Sequence, residues 1–241
     1  EINTAEFPDL SEKSINTGVD KKDFEKPKAW DKYKDELLDL AVNDLGLTRV
    51  RLKVRSGVEN DPDYWTVWRT DQISTADWGS RRDSTVNDNG DPNVLNAARF
   101  HFSELDSVVT KVVLPLKERV EANGEPFYVN VCYVAFVKQI GAGLGYDHLV
   151  ASEYAEFVET TYRHLSNTYG FAPDSWEVIL EPDNTGFPWQ WFGGTIGNAM
   201  AVVGPRLIQA GFTPRFVAPS SASTGVAVQQ FDKIALVPHA L

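Results

Sequence analysis

The chain has 241 residues, 42% of them hydrophobic, enough to build a sizeable core in one large domain or two small ones. Its formal charge of −11, with no dense stripe of Lys and Arg, argues against a phosphate-backbone partner, so no nucleic acid is expected. The single cysteine, Cys132, allows no intrachain disulfide and no cysteine-built zinc cluster, and its apolar surroundings make it a core thiol. No stretch is apolar for long enough to cross a bilayer, and the first ten residues lack the layout of a signal peptide, so the chain reads as intracellular or already processed. Aromatic residues at 12% in an acidic chain suit an exported carbohydrate enzyme.

Residues 1 to 29 read as a polar lead-in with a short strand around Ser14 to Thr17. A helix follows, with Tyr33, Leu37, Leu38, Ala41 and Leu45 at helical spacing and Gly46 as its C-terminal cap. Thr48 to Val54 alternates as a strand, placing Val50, Leu52 and Val54 on one side and Arg49, Arg51 and Lys53 on the other. On a solvated sheet face the basic side is simply exposed; inside a barrel an inward Arg needs a carboxylate or a substrate.

Residues 56 to 100 form a long connection rich in Asp, Asn, Gly and Pro, with Trp65, Trp68 and Trp78 either lining a sugar groove or packing the loop onto the body. Asp88, Asn89 and Asp91 lack the glycine and terminal glutamate of an EF-hand loop, and no metal site is expected. Ser103, with Asp106 three residues on, starts a helix carrying Leu105, Val108, Val109, Val112 and Leu116, kinked at Pro115. Phe127 to Phe136 is a strong strand in which Asn130 and Tyr133 are polar positions available to a site. Gly141, Gly143 and Gly145 follow without a phosphate-cradling pattern, and His148, next to Asp147 in that polar loop, reads as solvent-exposed rather than as a metal ligand. An amphipathic helix then runs from near Ser152 to a stop at Gly170, with Tyr154, Phe157, Val158, Thr161, Tyr162, Leu165 and Tyr169 on one face.

The segment from Ser175 to Trp191 is where chemistry concentrates. Val178, Ile179 and Leu180 read as a strand buried on both faces and stopped by Pro182, so that Glu181 stands at the strand's end. Asp183, Asn184 and Gly186 make a turn, followed by Trp189 and Trp191 in a loop almost free of charge. Beyond it, Ala199 to Ala210 reads as a helix despite Pro205, Arg215 to Ala218 as a short strand and Gly225 to Leu236 as a last helix. Strands alternating with helices imply an α/β fold of parallel βαβ units. A carboxylate flanked by tryptophans at the carboxyl ends of such strands points to sugar chemistry, against the plainer alternative of a solvated turn residue.

Val50-Arg51-Leu52 on one strand and Glu181-Pro182 at the end of a later one resemble the large clan of (β/α)8 glycoside hydrolases that includes cellulases, xylanases and β-xylosidases. There the acid/base glutamate ends strand four, usually within Asn-Glu-Pro; here the triplet is Leu180-Glu181-Pro182, with no match for the asparagine, and the strand Phe127 to Phe136 lacks the His found in several families. The resemblance implies a TIM barrel in residues 30 to 241, with Glu181 as acid/base and Arg51 as the second-strand arginine supporting the catalytic carboxylates; beside it, Tyr133 on its strand, Asn184 in the turn, close to the clan's asparagine but not equivalent, and Trp189 and Trp191 in the aromatic loop are the candidates for substrate binding. It also implies retaining hydrolysis of β-linked saccharides without a cofactor, by two carboxylates about 5 Å apart, with Leu180 and the Trp189 loop desolvating the proton donor. Full barrels take about 250 residues, and this chain has spent its length on roughly five βα units, so an N-terminal portion is expected, with the nucleophile on a seventh strand beyond Leu241. The portion alone is expected to be inactive and to self-associate or take up the remaining barrel strands as its partner. A non-catalytic sugar-binding protein on the same scaffold, or an unrelated α/β protein, stays open.

Overall fold

In a computed structural model the described residues are 2–3, 29–135, 148–184 and 192–241. The strand expected around Ser14 to Thr17 lies outside them. A five-stranded sheet runs in the order β1 (Ile2–Asn3), β2 (Arg49–Arg55), β3 (Tyr128–Val134), β4 (Ser175–Glu177) and β5 (Phe216–Val217), with helices between the strands, so the fold is α/β. Parallel pairing sets Ile2 against Val50 and Asn3 against Arg51, and Trp176 against Phe216 and Glu177 against Val217. The segment read as a lead-in therefore carries a strand, too short to show periodicity. The chain divides into two compact units, one of Glu1–Lys53 and Glu104–Asn130, the other of Val54–Ser103 and Val131–Leu241.

In the first unit, α1 (Ala29–Asn43) ends as its sequence demands. Gly46 sits at φ +62°, and its N–H and that of Leu47 return to the Val42 and Ala41 carbonyls. Its buried stripe is Trp30, Leu38, Ala41 and Val42, whereas Tyr33 and Leu37, expected inside, are 50% and 43% exposed. The arc lies further round the helix because the indole of Trp30, one turn before the expected start, anchors it. On β2 the alternation is realised: Val50 and Leu52 are buried between partly exposed basic residues. The helix after Ser103 comprises α4 (Ser103–Val108), a π-helical turn (Val109–Val113) and α5 (Leu114–Ala122). The wider turn falls immediately before Pro115, where the ring has no N–H to give and needs room against the preceding turn. Instead of capping, the Ser103 hydroxyl donates to Asp63. The Arg119 guanidinium ties α5 to α1 through Asp39 at 2.6 Å and Asp35 at 3.0 Å.

The second unit begins with the connection read as a structureless loop. It contains α2 (Tyr64–Arg69), with the Asp63 carboxylate accepting from Thr66 N, and α3 (Thr75–Arg81), held by a reciprocal capping box between Ser74 and Asp77. Trp65, Trp68 and Trp78 form a small core of their own, Trp68 and Trp78 stacking at 4.4 Å with 13° between planes. All three are buried, which settles the alternative in favour of packing over a sugar groove. Three further helices of the unit are α6 (Ala151–Tyr169), α7 (Gly193–Gln209) and α8 (Thr224–Ile234), among the described residues. α7 starts six residues before its expected beginning, since Gly193 and Gly197 are helical and admit close approach to α8 and the residues after it; a Cβ on Gly193 would stand 2.6 Å from Lys233 Cβ of α8, and one on Gly197 2.7 Å from Val237 Cγ2, just beyond it. Tyr133, Tyr154, Phe157, Tyr162 and Trp176 fill the centre, all fully buried. Cys132 is a buried free thiol, as expected.

Candidate functional site

Glu181 follows β4 by four residues, on the side of the strand's carboxyl end. The run Val178 to Leu180 is buried, as read, but it is not strand. Trp176 faces α6, its indole N–H donating to the Tyr154 hydroxyl at 2.7 Å. Leu180, at the same parity, packs instead with Cys132 and Val134, which alternate with Tyr133 on β3, and the Tyr133 ring meets Tyr154 and Phe157 of α6. Trp176 and Leu180 thus lie on opposite faces, which no regular strand permits for residues four apart. The backbone changes partner at each step to achieve this. Val178 N donates to Val217 O at 3.2 Å, Leu180 N to Tyr133 O at 2.9 Å and Glu181 N to Ser220 O at 2.9 Å. The Tyr154 hydroxyl donates to Val178 O at 2.5 Å.

The turn ends with Glu181 at φ +46°, a left-handed conformation uncommon for a residue with a Cβ. A 3₁₀ turn, Pro182–Asn184, follows and returns the Asn184 amide to Glu181 Oε2 at 3.1 Å. The Asp183 carboxylate accepts from Ala222 N at 2.8 Å and Ser223 N at 3.0 Å, the residues leading into α8. Glu177, buried on β4, accepts from the Ser220 hydroxyl. The segments after β4 and β5 are thereby joined, with the partly exposed Glu181 carboxylate on the joined edge.

A second polar assembly lies in the same unit and was missed in the sequence. His148, read as solvent-exposed, is only 1% accessible. Its Nδ1 lies 2.6 Å from the Tyr133 hydroxyl and its Nε2 2.6 Å from Glu59 Oε2. A carboxylate only accepts, so Nε2 donates its hydrogen to Glu59, while Nδ1 and the Tyr133 hydroxyl share the other hydrogen bond. Asp88, Glu153 and Glu156 are buried around this chain, and Asp88 N donates to Glu59 Oε1 at 3.1 Å. Asp88 Oδ1, Glu153 Oε2 and Glu156 Oε1 have no hydrogen-bond partner. Burial, reinforced by the charges of Glu59 and Asp88, raises the Glu153 carboxyl; burial, with Asp88 beside it, raises that of Glu156 to about 8. A Glu156 that keeps its proton leaves less negative charge crowded beside the single histidine. Among the described residues no group of His, Cys, Asp and Glu is arranged to hold a metal ion.

Of the residues singled out in the sequence, the structure brings Glu181 and Asn184 together. Tyr133 is corrected from a substrate-facing position to a buried one, its hydroxyl taken by His148 and its carbonyl by Leu180. Arg51 belongs to the other unit, half-buried on β2 opposite Asn3. Trp189 and Trp191 lie outside the described residues. Comparison with protein-family models, with curated proteins and with solved structures gave no match.

Proposed function

We propose that the protein is a glycoside hydrolase acting on β-linked saccharides by a retaining, two-carboxylate mechanism, with Glu181 as acid/base on a (β/α)8 scaffold. The observation that carries this reading is a partly exposed glutamate held in a left-handed backbone conformation just beyond the carboxyl end of a parallel strand, where barrel enzymes gather their chemistry. Strand order supports it as well: β1 to β5 lie side by side in chain order, the winding of a barrel, without the reversal of a doubly wound sheet. In the first step protonated Glu181 would give its proton to the glycosidic oxygen while a second carboxylate attacks the anomeric carbon. In the second, Glu181 as carboxylate would take a proton from the water that releases the sugar. By the resemblance, the second carboxylate comes from a seventh strand, and Arg51, Asn184, Trp189 and Trp191 are proposed to support the carboxylates or the sugar. Val228 and Phe231 on α8, 64% and 47% exposed, are consistent with further strands and helices, or a second copy, as partner.

Glu181→Gln tests the assignment. Hydrolysis of glycosides with poor leaving groups should fall about 10²- to 10⁴-fold with the fold intact, and activated aryl glycosides should suffer less in the glycosylation step. Parental turnover of a natural glycan by the variant would remove Glu181 from the mechanism. One observation favours a second reading, a sugar-binding protein without catalysis: where the clan carries asparagine, Leu180 is buried against Cys132 and Val134 and offers no amide to a sugar. Saturable binding of β-linked oligosaccharides with no hydrolysis by the parent would decide for it.

A further inference from the structure

We infer that Asp183 is a positioning residue, which fixes the acid/base glutamate by clamping the turn that carries it onto the start of α8; the inference rests on the reading of Glu181 as acid/base. Three residues, Pro182 to Asn184, form the turn. Its middle member sends one carboxylate oxygen to Ala222 N at 2.8 Å and the other to Ser223 N at 3.0 Å. Both are main-chain donors at the entry of a helix, with Ser223 the residue immediately before its first turn, so a negative charge is favoured there by the bonds and by the helix dipole. On either side of Asp183 the turn carries the groups that define the Glu181 carboxylate. Asn184 Nδ2 donates to Glu181 Oε2 at 3.1 Å, and Glu181 N donates to the carbonyl of Ser220 at 2.9 Å, two residues before Ala222. The Ser220 hydroxyl meanwhile goes to Glu177 on β4. The two segments are therefore crossed by bonds at Glu177, Glu181 and Asp183, and only the Asp183 pair bears a charge on main-chain donors beyond the glutamate itself.

Glu181 needs such a clamp because its left-handed backbone, at φ +46°, is not self-sustaining for a residue with a Cβ. Release of the clamp lets the turn relax and carries Asn184 and the carboxylate away together. A displacement of the order of 1 Å at a reacting group is worth about 10²-fold in rate.

The test compares the parent with Asp183→Ala, Asp183→Asn and Glu181→Gln on a β-glycoside with a poor leaving group and on an activated aryl β-glycoside. Asp183→Ala is expected to lower kcat on the first substrate at least about tenfold, to leave KM within about threefold, and to affect the second substrate far less. Asp183→Asn, which keeps one acceptor oxygen, should recover part of the loss. Amides of residues 178–184 should exchange faster in Asp183→Ala while those of α6 do not. Parental kcat in Asp183→Ala, or equal losses on both substrates, would overturn the inference, and if that variant does not fold, the same ratio measured on Asp183→Asn decides. An inactive Glu181→Gln beside a parental Asp183→Ala removes the clamp and keeps the function; a Glu181→Gln as active as the parent removes the function and the clamp with it.

Discussion

Around Glu181 the position of a carboxylate is settled by main-chain bonds, and around His148 it is settled by side chains that burial has cut off from water. The first arrangement needs an irregular backbone and leaves the acid group partly exposed, with an amide from Asn184. The second packs Glu59, His148 and Tyr133 in line, with Asp88, Glu153 and Glu156 around them and three carboxylate oxygens unpartnered. Main-chain geometry can place a carboxylate without burying it, as the proposed role of Glu181 would require, whereas one packed against helix α6 can be desolvated until it keeps its proton. The two arrangements meet in Tyr133, whose hydroxyl serves His148 and whose carbonyl serves Leu180.

The largest effect should come from removing the histidine. His148→Leu leaves Glu59 Oε2 buried without the ring N–H it faces, and loss of one member of such a pair costs about 3–5 kcal/mol. Urea unfolding measures it. Glu59→Gln combined with His148→Leu should cost clearly less than the sum of the two single changes; strict additivity would mean that the bond does not couple them. Tyr154→Phe comes next and strikes the other region. It strands the Trp176 indole N–H and the Val178 carbonyl, both interior, for about 1–3 kcal/mol. Because Val178 begins the irregular run, this variant should, under the proposed glycosidase function, also lower turnover, which His148→Leu should do only through stability. If the two variants lose stability and turnover in the same proportion, the distinction between the regions fails.

What could be read in advance followed the physics of each segment. The alternation of Val50, Leu52 and Val54 needs only a sheet with two faces, and the left-handed cap at Gly46 needs only the absence of a Cβ, so both are visible in the residues. Glu181 was placed by composition, a buried run closed by proline, although the run itself is no strand: Trp176 and Leu180 face opposite ways, a reversal made by partners on β3 and after β5 that no local pattern encodes. His148 was out of reach for the same reason, its carboxylate partner being Glu59, 89 positions away. The short helices α2 and α3 were legible and overlooked. Asp63 before Thr66 and Ser74 before Asp77 are capping signals, masked by a loop-like composition.

A pH series tests the charge state of the buried assembly. With a folded pKa of about 8 against an unfolded value near 4.5, Glu156 keeps its proton in the native state after the unfolded chain has released it. Over that interval the native state binds more protons, so stability is highest at and below the unfolded value, falls as pH rises and levels off above about 8. Glu153, raised in the same direction, adds to the slope. Replacing Glu156 with Gln, a neutral group of the same shape that can also donate to Asp88, removes this term. The variant should match the parent near pH 4, then exceed it by an amount that grows toward pH 8, by at most about 1.4 kcal/mol per pH unit. The groups facing Glu156, namely Asp88, Glu153, Glu59 and Arg206, stay in place, so parallel stability curves for parent and variant between pH 5 and 8 would show that Glu156 is ionised in the native protein and that its charge is compensated in the interior.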